Sequence, residues 1–239
     1  MIKAIVFDLD DTLISEEDYI RSGYKAVARR LCQKYPGKSS GVTDLLEETA
    51  CFRELLELYR EDAAMVFNRF LDKHGILFGE QDIRELVAVY REHLPEITFF
   101  EDVIPVLAML RRKGIRTGII SDGYTITQEN KVRVLGLEKL VDHVILTDRL
   151  GRDYWKPDSR AFLMMSEELG VLPKELLYVG DNPTKDFYPK KQVQIQTARI
   201  IRPFAVYANA PYREGVREDY RIDSLYDLEK LLESGEKQA

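Results

Sequence analysis

Acidic residues and one lysine stand directly after apolar runs of this sequence, in positions where they could bind phosphate and a metal ion. Asp8 and Asp10 follow the first run, Asp181 and Asp186 follow a later one, and Lys156 lies between them. Clustered carboxylates repel one another unless a cation neutralises them, and Mg²⁺ accepts a few carboxylates together with phosphate oxygens. A lysine adds a fixed positive charge. The combination predicts a magnesium-assisted site for phosphoryl transfer.

The two acids of the first group suit two different tasks. Asp8 could attack phosphorus and form an aspartyl-phosphate, as carboxylate nucleophiles do. Asp10 could protonate the leaving oxygen and then deprotonate the water that hydrolyses the intermediate. We expect a raised pKa for Asp10 among its acidic neighbours, since like charges disfavour ionisation. Thr12 is expected to hydrogen-bond within its own loop.

The elements that must position these side chains are short apolar runs separated by helical patterns. Little alternation within the runs favours strands that are buried on both faces. The predicted strands span 2–7, 117–120, 143–146, 176–179 and 196–200. Asp102 is expected to cap the helix that precedes the second strand. Strands that alternate with helices predict an α/β fold, a doubly wound, Rossmann-like parallel sheet.

A parallel sheet would bring the polar groups together. Ligands of such sheets bind beyond the carboxyl ends of the strands. The first strand ends in Asp8, the second in Ser121 and Asp122, and the loop after the third carries Lys156. The fourth ends just before Asp181. We therefore expect all four loops to line one rim.

Residues 16–94 interrupt this alternation with apolar residues at three- and four-residue steps only, which predicts an inserted all-helical cap subdomain. The predicted domains are a catalytic α/β core, 1–15 with 95–239, and a helical cap, 16–94. Pro, Gly and Ser at 36–41 predict a loop in the cap. The tail, 234–239, is expected to fray.

Composition narrows the classes of partner. The 239 residues carry a formal net charge of -6 and no Lys/Arg-rich block, so a nucleic-acid surface is not expected. No long uninterrupted apolar stretch occurs, and Cys32 and Cys51 belong to no metal-binding pattern. We expect a cytoplasmic protein without a membrane anchor, monomeric or homodimeric, whose partner is a small phosphorylated molecule.

The groups described above carry a family resemblance that covers the chain from Ile2 to about Leu232. FDLDDTL, IISDG, KPD and VGDNPTKDF resemble, in order and spacing, the four motifs of the haloacid dehalogenase-like superfamily. The helical insertion after the first motif resembles the cap of its phosphatase branch. The resemblance implies a hydrolase of phosphate monoesters with Mg²⁺ as cofactor, acting on small phosphorylated metabolites.

Roles follow from the resemblance position by position. It implies that Asp8 is the nucleophile and a magnesium ligand, and that Asp10 is the general acid/base with its backbone carbonyl on the metal. Ser121 and Lys156 would hold the transferring phosphoryl group. Asp122 stands where many members have Asn, and its backbone N–H is expected to reach the phosphate.

The last motif supplies the remaining metal ligands. The resemblance implies that Asp181 binds magnesium directly and that Asp186 acts through water or from behind the ligands. Either acid could otherwise cap a helix, since Asp favours helix starts.

Other functions remain open at this stage. A dehalogenase needs no acid at position 10 and no magnesium, and Asp10 argues against it. A sugar-phosphate mutase keeps both aspartates and differs only in returning the phosphoryl group to substrate. A phosphoryl-receiving signalling domain would carry its aspartate at a later strand, without a helical insertion. A non-catalytic binding module is the last alternative.

Overall fold

The computed structural model describes residues 1–36, 47–203 and 205–236. It divides into two compact units. The core unit comprises Met1–Glu16 and Ile97–Ala239, and the helical unit comprises Glu17–Glu96. Residues 37–41 of the predicted loop and 237–239 of the predicted tail lie outside the described residues.

The helical unit has its own apolar core. Its helices are α1 (Glu16–Lys34, which begins at the last residue of the core unit), α2 (Glu48–Glu61), α3 (Val66–Lys73) and α4 (Glu80–Glu92). Val27, Leu31, Leu55 and Phe70 are fully buried in one cluster whose described members all belong to this unit. Removing these side chains from water is the main stabilising contribution to such a helical unit.

The core unit is built on one sheet of six parallel strands in the order β3-β2-β1-β4-β5-β6. The strands are β1 (Ala4–Phe7), β2 (Arg116–Ser121), β3 (His143–Leu146), β4 (Leu176–Gly180), β5 (Gln196–Ile200) and β6 (Tyr220–Ile222). The predicted parallel α/β sheet is confirmed. β6 was not predicted, and it lengthens the sheet at the β5 edge.

β1 shows why these sequences form a buried sheet. All four of its residues are fully buried. Ile5 and Phe7 join the apolar cluster on one face, and Ala4 and Val6 join the cluster on the other. Successive side chains of a strand point to opposite faces, so a strand covered on both sides must be apolar throughout.

Four further helices of the described residues flank the sheet. They are α5 (Val103–Arg112), α6 (Thr125–Leu135), α7 (Arg160–Leu169) and α8 (Asp227–Glu236). α5, α6 and α8 contribute to the Ile5 cluster, whereas α7 contributes to the Ala4 cluster, so the sheet is doubly wound. No helix among the described residues is long and apolar enough to cross a membrane.

The expectation for Asp102 is wrong. Asp102 stands at the N-cap position of α5 but makes no side-chain capping bond. Its carboxylate instead accepts two hydrogen bonds from the buried Arg202, at 2.8 Å each, and one from Ser224. A buried guanidinium is strongly destabilising unless a carboxylate neutralises it, so the ion pair with Arg202 is favoured over a capping hydrogen bond.

Candidate active site

The carboxyl ends of the three central strands bring the predicted residues to one edge of the sheet. Phe7 is in register with Ile119 of β2 and with Val179 of β4. The Asp8 N–H donates to the Val179 carbonyl at 2.9 Å, which extends the ladder by one bond. Asp8 is therefore held by backbone at the point where β1 ends, although its side chain is polar and buried.

Three carboxylates meet at this edge. One oxygen each from Asp8, Asp181 and Asp186 lies within 4.8 Å of the others, and all three residues are buried. Burial, opposed by Lys156 and reinforced by Asp186, raises the pKa of Asp8 to about 6. Burial and the neighbouring Asp186 and Asp8 hold the pKa of Asp181 well above its ordinary value.

The cluster fits a hard divalent cation. Asp181 Oδ2 is buried and has no hydrogen-bond partner among the described residues, and the buried Asp186 Oδ1 forms an ion pair with Lys156 Nζ at 2.9 Å. Unpaired carboxylate oxygens that repel one another are costly to bury, and a cation with oxygen ligands would satisfy them and favour their ionised form. Asp8, Asp181 and Asp186 are thus the residues that would hold the metal.

The loop after β4 folds tightly to present its two acids. The Asn182 N–H donates to Asp186 Oδ2 at 2.9 Å, and the Asp186 N–H donates back to the Asn182 carbonyl at 3.0 Å. Gly180 is required here because a Cβ at that position would lie 2.5 Å from Asp186 Oδ2. The glycine therefore leaves the space that the Asp186 carboxylate occupies.

Lys156 lies inside the acid cluster. Its side chain is fully buried, and its Nζ is 2.9 Å from Asp8 Oδ1, 2.9 Å from Asp186 Oδ1 and 2.6 Å from the Tyr178 hydroxyl. Although burial opposes the charge, Asp186 and Asp8 raise the pKa of Lys156, so the ammonium stays protonated. The lysine links Asp8 to the loop after β4.

Asp10 is paired with a cation that sequence reasoning missed. Lys131 Nζ lies 2.6 Å from Asp10 Oδ1, and Gln128 donates to Asp10 Oδ2 at 3.0 Å. Burial opposes ionisation of Asp10, but Lys131 and Gln128 outweigh it and lower the pKa of Asp10. The expectation of a raised pKa for Asp10 is wrong, because the neighbour that matters is a lysine.

Gln128 and Lys131 come from a buried polar face of α6. Thr127, Gln128, Asn130 and Lys131 are all buried, although the helix reads as a run of polar residues. Gln128 and Lys131 are three residues apart and therefore share one face. That spacing, directly after the Ser121-Asp122-Gly123 end of β2, is the signal that could have identified them.

The carboxylate of Asp122 is fully engaged with its neighbours. Its Oδ1 accepts from the Thr147 hydroxyl at 2.8 Å and from the Lys156 N–H at 3.1 Å. Its Oδ2 accepts from Lys185 Nζ at 3.0 Å. Against the effect of burial, Lys156 and Lys185 lower the pKa of Asp122. Lys185, which sequence analysis did not single out, thereby joins the site.

Two buried hydroxyls at the same edge lack partners. Ser121 Oγ and Thr12 Oγ1 have no hydrogen-bond partner among the described residues. The expectation that Thr12 hydrogen-bonds within its loop is wrong for its side chain. A buried hydroxyl without a partner is unfavourable unless something else supplies one, and a phosphate oxygen would.

The loop after β1 is braced by residues distant in sequence. Asp11 adopts a left-handed conformation, with φ of 49°, and its carboxylate accepts from the N–H groups of Glu16 and Val206 at 2.9 and 2.8 Å. Arg202 donates to the Thr12 carbonyl at 2.8 Å. These bonds fix the backbone on which Asp8 and Asp10 stand, and the strained φ of Asp11 is maintained by them.

Comparison with known proteins gives one family. The family model of the haloacid dehalogenase-like hydrolases matches residues 2–187. The chain is 31% identical to a glyceraldehyde 3-phosphate phosphatase of Methanopyrus kandleri over 84% of this chain and 85% of that one. It is 29% identical to a putative pyrophosphatase PpaX of Clostridium perfringens over 77% of each chain.

A solved structure agrees with these sequence matches. The crystal structure of a HAD phosphatase from Thermococcus onnurineus superposes with a TM-score of 0.59 at 28% identity, covering 97% of this chain and 98% of that one. The chain therefore belongs to the haloacid dehalogenase-like hydrolases, as its motifs predicted.

Proposed function

We propose that the chain is a magnesium-dependent phosphohydrolase that cleaves phosphate monoesters of small metabolites through an aspartyl-phosphate on Asp8. One observation carries the proposal. Asp8 Oδ1 lies 2.9 Å from Lys156 Nζ, within a cluster in which Asp181 Oδ2 is buried and has no hydrogen-bond partner among the described residues. A nucleophile, a fixed cation and a candidate metal site thus coincide. The relatives named as phosphatases support the same reaction.

In the first half-reaction an Asp8 oxygen forms a bond to phosphorus while the ester P–O bond breaks. The leaving oxygen takes a proton from Asp10, and this is the proton that Asp10 accepted from water in the preceding turnover or from solvent in the first one. Asp8, Asp181 and the Asp10 carbonyl would hold Mg²⁺, with Asp186 holding it through water, and the ion would supply positive charge for the phosphoryl oxygens. Ser121 and Lys156 hold the phosphoryl group, together with the backbone N–H of Asp122.

In the second half-reaction water attacks the phosphorus of the aspartyl-phosphate. Asp10 accepts the water proton, the bond between Asp8 and phosphorus breaks, and inorganic phosphate leaves. The ion pair with Lys131 keeps Asp10 ionised, which is the form a general base requires. The helical unit, Glu17–Glu96, is proposed as the cap that selects the substrate.

The test is phosphate release from a panel of phosphate monoesters, with magnesium or with chelator, for wild type and Asp8→Asn. The panel includes glyceraldehyde 3-phosphate and adds pyrophosphate, because relatives are named for these substrates. We expect release only with magnesium and none from Asp8→Asn. Exchange of a sugar phosphate between isomers without net release would show a mutase instead. No release and no exchange from any substrate would overturn the proposal.

A further inference from the structure

Lys185 is a second lysine of the candidate site, and its environment differs from that of Lys156. Its side chain is 26% exposed, whereas the Lys156 side chain is fully buried. Among the described residues, Asp122 Oδ2 is the one acceptor within hydrogen-bonding distance of its ammonium. A protonated lysine has three donors, so two of them remain for a ligand.

The ammonium of Lys156, by contrast, has no donor that is available for a ligand without the loss of an existing contact. Oxygens of Asp8, Asp186 and Tyr178 lie within 2.9 Å of its Nζ, in two ion pairs and one hydrogen bond. A phosphoryl oxygen could reach Lys156 only by replacing one of them. The lysine with donors to spare at this edge of the sheet, among the described residues, is therefore Lys185.

The ion pair with Asp122 places the charge of Lys185 beside the proposed phosphoryl position. Asp122 Oδ1 is bound by the Lys156 N–H and the Thr147 hydroxyl, so its Oδ2 is fixed in direction toward Lys185. Lys185 is also the residue immediately before Asp186. The ammonium of Lys185 is thus held by Asp122 of the proposed phosphate site, and its backbone adjoins Asp186 of the proposed metal site.

The negative charge of Asp122 also favours a phosphate-binding role for Lys185. The Asp122 carboxylate adds a buried negative charge next to the place where a phosphoryl dianion must bind, and like charges in a buried site repel strongly. Lys185 neutralises that charge at 3.0 Å and still has free donors. Without Lys185, Asp122 would weaken phosphate binding.

We propose that Lys185 binds an oxygen of the transferring phosphoryl group, and that Asp122 orients it for this task. The inference deepens the proposed function and rests on it for the identity of the substrate. It gives the site two lysines with different duties. Lys156 links Asp8 to the acid cluster and binds the phosphoryl group by exchanging one of these partners, whereas Lys185 binds a phosphoryl oxygen with donors that are already available.

The experiment measures binding of inorganic phosphate by calorimetry, with magnesium present, beside KM and kcat for the best substrate of the panel. The variants are Lys185→Met, Lys185→Arg and the double variant Lys185→Met with Asp122→Asn. Lys190→Met is the matched control, because Lys190 also pairs with a single carboxylate, that of Asp219, and its side chain is 23% exposed. Thermal melts verify that each variant is folded.

Lys185→Met is expected to weaken phosphate binding about tenfold or more and to raise KM in proportion, since a charge-assisted hydrogen bond is lost. Lys185→Arg should retain most of the affinity. The double variant should bind phosphate more tightly than Lys185→Met alone, because the unneutralised carboxylate is gone. Lys190→Met should match wild type.

Unchanged phosphate affinity in folded Lys185→Met would overturn the inference while leaving the proposed hydrolase intact. A double variant that binds phosphate no better than Lys185→Met would show that the Asp122 charge does not oppose phosphate binding, and it would overturn the inference as well. Phosphate binding that depends on Lys185, in a wild-type protein that hydrolyses nothing, would support the inference and refute the proposed function. The two failures are therefore distinguishable.

Discussion

Lys131 on α6 and Asp10 after β1 form a buried ion pair of 2.6 Å, and Lys131 is only 3% exposed. The lysine fixes one carboxylate oxygen of Asp10 while Gln128 fixes the other. The carboxylate orientation of the proposed general acid/base is thus set by a helix in addition to its own loop. The proposed role of Asp10 in proton transfer can therefore be tested by substituting a residue of α6.

Lys131→Met is expected to lower kcat about tenfold or more, since small misplacements of a catalytic group are costly. Removing the positive charge also raises the pKa of Asp10, so the limb of the pH–rate profile that Asp10 governs should move to higher pH. Steady-state kinetics across pH measure both effects. Lys131→Arg should be milder, and Lys139→Met, at an exposed position, should match wild type. An unshifted profile in Lys131→Met would contradict the assignment.

Asp10→Asn should discriminate between leaving groups. Loss of a general acid/base typically costs about 10²- to 10⁴-fold, and an alkoxide needs a proton more than an acidic phenol does. We expect a larger loss of phosphorylation rate with an alkyl phosphate than with p-nitrophenyl phosphate. Rapid-quench measurement of the aspartyl-phosphate burst compares the two substrates. Equal losses would argue that Asp10 acts only on the metal or the fold.

The pKa of Asp8 predicts how stability changes with pH in the absence of magnesium. Burial raises that pKa from 3.8 to about 6, so the folded protein binds the proton more tightly than the unfolded chain. The free energy of unfolding should therefore fall as pH rises from about 4 to about 6, by about 3 kcal/mol for this group. Denaturant titrations of the metal-free protein measure it.

Asp8→Asn lacks this titration and should show a shallower fall in stability over the same pH range. Asp153→Asn is the control, because its side chain is 69% exposed. Parallel curves for wild type and Asp8→Asn would disprove the prediction. Added magnesium should stabilise the wild type more at pH 7 than at pH 5, since it binds the ionised carboxylates.

Gly180→Ala tests the packing of the acid cluster. The new Cβ would lie 2.5 Å from Asp186 Oδ2 and 3.1 Å from the Tyr178 ring, so the carboxylate must shift. We expect apparent magnesium affinity to fall about 10- to 100-fold, as for other changes behind metal ligands. Magnesium titration of activity and of thermal stability measures this. Gly79→Ala, where the nearest atom is 3.9 Å away, serves as control. Unaltered magnesium affinity in Gly180→Ala would show that Asp186 has no part in binding.

The sequence predicted the parts of the molecule in which one physical signal dominates. Continuous apolar runs identified five strands, and β3 and β5 have the predicted bounds. β6 has only three residues and follows a stretch without periodicity, so no local signal separated it from a loop. The ion pair of Asp102 could not be predicted from local sequence either, because its partner, Arg202, is a hundred residues away.

The candidate site divides in a similar way. Acids at strand ends were identifiable because a parallel sheet brings strand ends together. Whether those acids act as predicted stays a proposal. Gln128, Lys131 and Lys185 were missed because polar residues on a helix or loop usually face water, and only the folded chain shows which carboxylates they meet.

The position of β1 in the sheet has a consequence for how the chain is made. β1 is the first element, yet its neighbours begin at Arg116 and Leu176. On the ribosome, the helices between Glu17 and Glu96 emerge long before either neighbour, and they possess their own apolar cluster. We expect the helical unit to fold first and the strand that carries Asp8 to wait, unpaired, until most of the chain is synthesised. Asp8, the proposed nucleophile, is thus synthesised before both neighbouring strands, but its site forms only once β4 has been synthesised.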